Sequence, residues 1–409
     1  MHIAMILGND FSRDNRVRRE AQALVGAGHR VTLHAVMADG LEPEEDDGDV
    51  VVVRTRLPEW TQTGRGAAGA WRVARWYDRF RPLVETALSR DRPDVLHAHD
   101  LDTVKPCLEA AQREKLPLVY DDHEASQVDK LPNYVPADAR GWKKHTLQAA
   151  VRWLQRRGRA LERQVRASGP AGLITVSEAL ADDLVRRFGG PRPVVVRNCP
   201  PWRAVKRTQA LRVKAGAAPT DRLILYHGTV TEGCGVETAI RALRILGEGH
   251  MLVVLGWAWR QDLLEQLAQQ EDVASQVRFL KGVSQDEMFD LIGAADVGVI
   301  PTEPNTVGNT LGIPNKLFES LMAGLPVVAA DVPEVAQIVR SSGAGVLYPA
   351  AMPQDPRDLA EGIHTLLSDG SLWATCSEAG RAVARAELNW ERESRRLIDL
   401  YARIATLRS

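Results

Sequence analysis

The 409-residue chain is expected to fold as an α/β protein of two doubly wound parallel-sheet halves in series. Short β-rich runs alternate with helical patterns from the first residues, which is the rhythm of parallel strands joined by crossover helices. The rhythm breaks at Asn198-Cys199-Pro200-Pro201 and then starts again. The length also exceeds what one ordinary core holds and suits two domains of roughly 150–200 residues each.

In the first half the β-rich runs are 2–7 (HIAMIL), 29–36 (HRVTLHAV), 51–55 (VVVRT), 94–99 (DVLHAH), 116–121 (LPLVYD), 172–176 (GLITV) and 193–197 (PVVVR). Helical patterns fall between them at 14–27, 69–90, 101–114, 142–168 and 178–188. The acidic stretch 42–49 is expected to be a solvated loop. The pair Pro200-Pro201 interrupts helix and sheet alike, so it reads as a linker between domains at 1–200 and 201–388. In the second half the runs are 223–228 (LILYHG), 251–256 (MLVVLG), 277–282 (VRFLKG), 297–301 (VGVIP), 325–330 (LPVVAA) and 344–348 (AGVLY). A closing segment, 389–409, spaces Leu397, Leu400, Ile404 and Leu407 as an amphipathic helix does. Doubly wound sheets place ligand crevices outside the carboxyl ends of their strands. If the two sets of ends face each other, the substrates lie between the halves.

A hydrophobic fraction of 44% with 26% charged residues belongs to a folded soluble protein, and a net charge of −1 gives no global pull toward nucleic acid. Cys107, Cys199, Cys234 and Cys376 lie far apart without a C-x-x-C pair, which argues against a zinc site and a disulfide framework. The opening MHIAMILGND is too short in apolar residues for a signal peptide, and no later run approaches a membrane span. A cytoplasmic protein is expected. The basic segment 142–166, with Trp142 and Trp153, reads as a covering helix first and as a contact for an anionic membrane second.

The most informative stretch is Asn309-Thr310-Leu311-Gly312-Ile313-Pro314-Asn315-Lys316-Leu317-Phe318-Glu319. Pro314 suits the first position of a helix, and such a start is a ready anion site. Lys316 and Glu319 are three apart and share a helical face, which lets an ammonium reach a phosphate while a carboxylate accepts from ribose hydroxyls. An exposed Lys–Glu pair that merely stabilises the helix is the plainer alternative. In the first half, the loop Gly8-Asn9-Asp10-Phe11-Ser12 leaves a strand and enters a helix as a phosphate-cradling turn would, although plain turn chemistry also explains it. The next helix carries Asp14, Arg16, Arg18, Arg19 and Glu20, either a self-paired face or a site where Arg16 meets an anion. His123 follows the run LPLVY, and His97, His99 and Asp100 occupy another strand end, where ligands collect. Asp100 is equally well explained as a helix N-cap. The triplets Asp100-Leu101-Asp102 and Asp47-Gly48-Asp49 invite a metal reading that chance explains better.

Taken together, 12–33 (SRDNRVRREAQALVGAGHRVTL), 96–100 (LHAHD), 118–124 (LVYDDHE), 174–178 (ITVSE), 195–201 (VVRNCPP), 225–243 (LYHGTVTEGCGVETAIRAL) and 314–331 (PNKLFESLMAGLPVVAAD) resemble family 4 glycosyltransferases. The resemblance implies the GT-B fold, with two Rossmann-like domains facing across a cleft, and transfer of a sugar from a nucleotide-diphosphate donor with retention, without metal or further cofactor. It makes Glu319 the second glutamate of the family's E-x7-E motif, the one on the donor ribose; Leu311 stands where the first would be, a departure shared by relatives with Pro-Asn-Lys here. Thr229 and Cys234 stand where many relatives put an arginine and a lysine on the leaving diphosphate. The implied donor contacts are Gly8, Asn9, Gly228, Thr229, Val283, Pro314, Asn315, Lys316 and Glu319, and the implied acceptor contacts are Arg16, His99 and Asp100. Lys316, Glu319 and His123, the last beside the donor sugar, are the catalytic candidates. The final helix is expected to pack back on the first domain. The acceptor stays open among saccharide, lipid-linked and small-molecule classes. Two rivals remain: a nucleotide-sugar epimerase of the same architecture, and a binding subunit that no longer turns its donor over.

Overall fold

A computed structural model describes residues 1–58, 75–123 and 140–406, apart from the side chain of Lys143. The start of the expected helix 69–90, Glu124 of the 118–124 motif and Leu407 lie outside the described residues. The chain forms two compact units, Met1–Arg197 with Ser394–Ser409, and Asn198–Glu393.

The first unit is built on β1 (His2–Ile6), β2 (Arg30–Val36), β3 (Glu44–Asp47), β4 (Val50–Thr55), β5 (Val95–His99), β6 (Leu118–Asp122), β7 (Gly172–Thr175) and β8 (Val194–Val195). They lie in the order β3-β4-β2-β1-β5-β6-β7-β8. Every pairing is parallel except that of β3 with β4. The crossover helices begin with Asn15–Gly26, Arg81–Asp91 and Asp100–Glu114. Because side chains alternate across a strand, Leu96 and Ala98 of β5 join the apolar core on one face with Ala4, Ile6 and Tyr120. His97 and His99 therefore share the other face.

The basic helix Gly141–Ala167 sends Leu154, Leu161 and Val165 into that core, while Trp142 is 81% exposed. The helix Trp390–Thr406 buries Leu397, Leu400, Tyr401 and Ile404, and its residues from Ser394 onward belong to the first unit. Leu400 comes so near β7 that a Cβ on Gly172 would sit 2.9 Å from its side chain, which explains the glycine there.

The second unit holds β9 (Arg222–His227), β10 (His250–Leu255), β11 (Val277–Leu280), β12 (Val297–Ile300), β13 (Val327–Ala330) and β14 (Gly345–Tyr348), in the order β11-β10-β9-β12-β13-β14, all parallel. Its strands read as continuous apolar runs because both faces are covered. Leu223 and Leu225 enter one core, Ile224 and Tyr226 the other. The order reverses direction between β9 and β12, which opens a crevice at their carboxyl ends.

Four local expectations need correction. The stretch 42–49 is not only loop: Glu44–Asp47 adds to β4 as an antiparallel edge strand, held by Glu44 to Arg90, Glu45 to Arg54 and Asp47 to Arg18 at 2.6–2.7 Å. Cations on the neighbouring elements replace the apolar face that a strand signal needs. The described part of 69–90 is a 3-10 turn at Trp76–Asp78 and a separate helix Arg81–Asp91, with Pro82 in its first turn. Pro314 is the N-cap, with φ −69° and ψ 135°, rather than the first residue of the helix Asn315–Ala323. Its ring fixes φ alone, so the extended ψ is open to it. Asp100 is not a cap: the helix Asp100–Glu114 starts on it with φ 63°, and His99 precedes as N-cap.

Candidate active site

In the second unit the site is assembled at the switch point between β9 and β12. β9 ends on Tyr226 and His227, and the chain turns at Gly228, whose φ is 100°. The amide of Gly228 donates to the Leu255 carbonyl at 2.9 Å, drawing in Gly256, where a Cβ would lie 2.4 Å from the Gly228 oxygen. The helix Asn315–Ala323 begins here, and the first amides of any helix lack an acceptor within it. Lys316 Nζ donates to the Tyr226 hydroxyl at 3.2 Å and stands 4.4 Å from the centre of that ring. One turn on, Glu319 Oε2 lies 3.1 Å from His227 Nε2. The two side chains thus do share a face, each set by a residue of β9.

The electrostatics follow from burial. Burial lowers the Lys316 ammonium below its ordinary value, against the pull of Cys234 and Glu319. Burial pushes the Cys234 thiol up, but Lys316 and hydrogen bonds with Thr231 and Tyr226 outweigh it and hold the thiol below its ordinary value. The Thr229 carbonyl accepts from the Tyr226 hydroxyl at 3.1 Å. Asn315 Oδ1 accepts from Asn198 at 3.0 Å, and Val283, after β11, packs half-buried against the core. A short helix, Val307–Leu311, stands before Pro314, and Leu311 ends it. Sequence reasoning missed Tyr226 and His227; their place at the end of LYHG, beside Gly228, was the available signal.

In the first unit the loop 8–12 is tied by its own side chains. Asn9 Oδ1 accepts from the Phe11 amide at 2.8 Å, and its Nδ2 donates to Asp14 at 3.0 Å. Asp14 in turn caps the next helix through the Val17 amide at 3.1 Å. Gly8 leaves room for Phe80, whose ring would meet a Cβ at 3.1 Å. Asn9 is thereby engaged in shaping the loop.

Arg16 and His99, expected to meet an acceptor, are both buried. The Arg16 guanidinium donates to both Asp121 oxygens at 3.1–3.3 Å and to the Val196 carbonyl at 2.9 Å, and it lies 2.9 Å from Glu20. Burial opposes its charge, but Asp121 and Glu20 raise it above its ordinary value. His99 stacks on His97 at 4.3 Å, with Nδ1 3.5 Å from Asp121. His123 is gripped at both ring nitrogens, by Asp121 at 3.1 Å and Asp100 at 3.3 Å. Against burial, those two carboxylates push His123 up to about 10. A cationic imidazole therefore stands at the end of β6, with Asp100 as its less buried partner.

The D-x-D triplets do not converge on one point. Asp102 is engaged by Arg79 and by Trp76 Nε1 at 3.3 Å, and Asp47 by Arg18. Among the described residues, a different set brings metal-ligand types together: Glu20, His97, His99 and Asp121.

Comparisons with known proteins bear on the family. Residues 14–199 match the glycosyl transferase 4-like domain, and residues 207–383 match glycosyl transferases group 1. A glycogen synthase of Mycobacterium tuberculosis is 25% identical over 394 residues, covering 92% of this chain and 87% of its own. A D-inositol 3-phosphate glycosyltransferase of Xylanimonas cellulosilytica is 29% identical over 325 residues, 76% of this chain and 72% of its own. Among solved structures, sucrose-phosphate synthase of Thermosynechococcus elongatus aligns over 100% of both chains with a TM-score of 0.79 at 17% identity. Anabaena HepE, crystallised with UDP-glucose, aligns over 98% of this chain and 99% of its own with a TM-score of 0.71 at 17% identity. With family matches running through both units and two doubly wound sheets beneath them, this chain belongs to the glycosyltransferases of the GT-B fold, joining a glycosyl transferase 4-like domain to a group 1 domain.

Proposed function

We propose that the enzyme moves a sugar from a nucleotide-diphosphate donor, held by its second unit, to an acceptor received by its first, with retention of configuration and without a metal on the diphosphate. The observation that carries this reading is the paired geometry on the helix Asn315–Ala323: Lys316 seated over Tyr226 and Glu319 beside His227 at one switch point. A diphosphate approaching Pro314, Asn315 and the Gly228-Thr229 turn meets an ammonium and the start of a helix together. The Glu319 carboxylate is then one turn away, where a ribose presents its two hydroxyls. Val283 borders the place for the base.

Negative charge develops on the departing nucleotide in the transition state, and donors already in place stabilise it most. Thr229 and Cys234 supply no positive charge where the family resemblance implies an arginine and a lysine, so Lys316 bears more of that work. A neighbouring phosphate restores the full charge that burial takes from its ammonium. His123, fixed as a cation by Asp100 and Asp121, binds the sugar or acceptor oxygen when Asp100 yields one of its contacts. The leaving phosphate accepts the acceptor's proton on the face it departs from, which keeps the anomeric configuration. Four free cysteines suit a reducing compartment, and we place the enzyme in the cytoplasm.

Thermal-shift titration with UDP, GDP, ADP and dTDP tests the donor class and selects the base, since a bound nucleotide stabilises the fold by mass action. No stabilisation by any of the four overturns the reading. Product NMR then tests retention, and release of nucleotide that depends on acceptor separates transfer from epimerisation.

A further inference from the structure

We propose that Glu20, His97, His99 and Asp121 form a buried binding site for one first-row divalent cation, zinc in the first instance, within the first unit and apart from the donor diphosphate.

The backbone places the four groups together for simple reasons. His97 and His99 are two apart on β5, so both imidazoles project from one face of the sheet, and Asp121 is the register partner of His99 on β6. Glu20 reaches the same point from the helix Asn15–Gly26. One ligand atom from each residue lies within 4.8 Å of the others, and all four residues are buried. Two imidazoles with two carboxylates are a borderline donor set of the kind zinc takes.

The polar atoms there are not satisfied by the protein. Oε2 of Glu20 and Nε2 of both His97 and His99 are buried without a partner, while Oε1 of Glu20 has only its ion pair with Arg16 and Nδ1 of His99 lies 3.5 Å from Asp121. Buried polar groups are otherwise almost always partnered, so several such atoms at one point need an occupant. His97 already has the outer contact that a metal-bound imidazole usually keeps: its Nδ1 lies 2.9 Å from the Tyr401 hydroxyl, which leaves Nε2 facing the cluster.

Charge points the same way. Asp14, Glu20, Asp100 and Asp121 place four carboxylates around this spot, against two cations, Arg16 and His123. One divalent ion balances them. Arg16 takes both oxygens of Asp121 but only Oε1 of Glu20, which leaves Glu20 Oε2 open to the ion.

The full chain, expressed in medium supplemented with Co2+ so that the ion can enter as the protein folds, is to be analysed for bound metal and for visible ligand-field bands. About one ion per chain, with bands from a four-coordinate site, is expected. Glu20→Gln and His97→Gln should each reduce the bound metal at least tenfold. Melting curves and circular dichroism on both variants identify any that do not fold, and the wild-type measurement decides without them. Wild-type protein that carries no metal above the buffer background, or bands that both folded variants leave unchanged, would overturn the site. Neither result bears on donor binding, which the nucleotide titration reads separately.

Discussion

Replacing Lys316 by Met removes one charge from the donor site and leaves the length of the side chain almost unchanged. The ammonium stands over Tyr226 in a partly desolvated place, and burial has already lowered its pKa. A lysine whose folded-state value lies below its unfolded one is disfavoured as a cation by folding, so without donor the Met variant should melt at the same temperature or higher. Donor binding should fall modestly. A nucleotide at one hundred times its Kd stabilises the fold by about 2.7 kcal/mol, and a tenfold weaker Kd at the same concentration leaves about 1.4 kcal/mol. For a domain of about 200 residues these correspond to shifts of roughly 5–11 °C and 3–6 °C. Turnover should fall much further, because losing one donor to a developing anion removes about 2.7–4 kcal/mol and roughly 10²–10³ in kcat. Thermal shift with the preferred nucleotide, paired with nucleotide release under saturating donor, reads both quantities on the same protein. Equal kcat in the two proteins, or a kcat loss no larger than the loss of affinity, would refute the assignment.

The remaining expectations address other parts of the site. Glu319→Ala should weaken nucleoside-diphosphate binding by roughly 10- to 100-fold, from loss of hydrogen bonds to a charged acceptor, while inorganic pyrophosphate, which has no ribose, should compete equally well against both proteins. His123→Ala should fold but lose most transfer, and wild-type rates would remove His123 from the chemistry. Because His123 is raised to about 10 in the folded chain, its charge stabilises the fold fully below its unfolded pKa of about 6.5, and this contribution disappears as pH rises through about 10. The gap in melting temperature between wild type and His123→Ala should accordingly narrow over that window. Arg16→Met should destabilise the first unit by about 3–5 kcal/mol, since it strands the buried Asp121 carboxylate; a loss under 1 kcal/mol in denaturant melts would contradict the network. Adding EDTA to the assay should leave the initial rate unchanged, which tests that no metal ion sits on the diphosphate.

The strands were legible because parallel strands covered on both faces are written as plain apolar runs, and LILYHG, MLVVLG and LPVVAA each contain one of them. β3 was not, because Glu44–Asp47 has no apolar face and is specified by arginines on other elements. The donor side was readable as far as one helix reaches: Lys316 and Glu319 are three residues apart, and the helix alone puts them on one face. Tyr226 and His227, which set those two side chains, lie about 90 residues earlier, and only the sheet brings them near. The acceptor side was less legible. Arg16 was read either as part of a self-paired charged face or as an anion site, and its partners are Glu20 on its own helix together with Asp121 on β6 and the Val196 carbonyl. A charged residue at a buried position looks the same in sequence as one on the surface until the facing strand is known.

The closing helix has a consequence for how the chain is made. Residues 1–197 leave the ribosome first, but the unit they form is completed only by residues from Ser394 onward, which bury Leu397, Leu400, Tyr401 and Ile404. At about 5–20 residues per second, the roughly 200 intervening residues take on the order of 10–40 s to synthesise. For that time the nascent first unit exposes an apolar strip and leaves His97 without its tyrosine. The later unit is continuous in sequence and can close while its neighbour still waits, so early release or stalling late in translation should leave a folded second unit tethered to an unfinished first one.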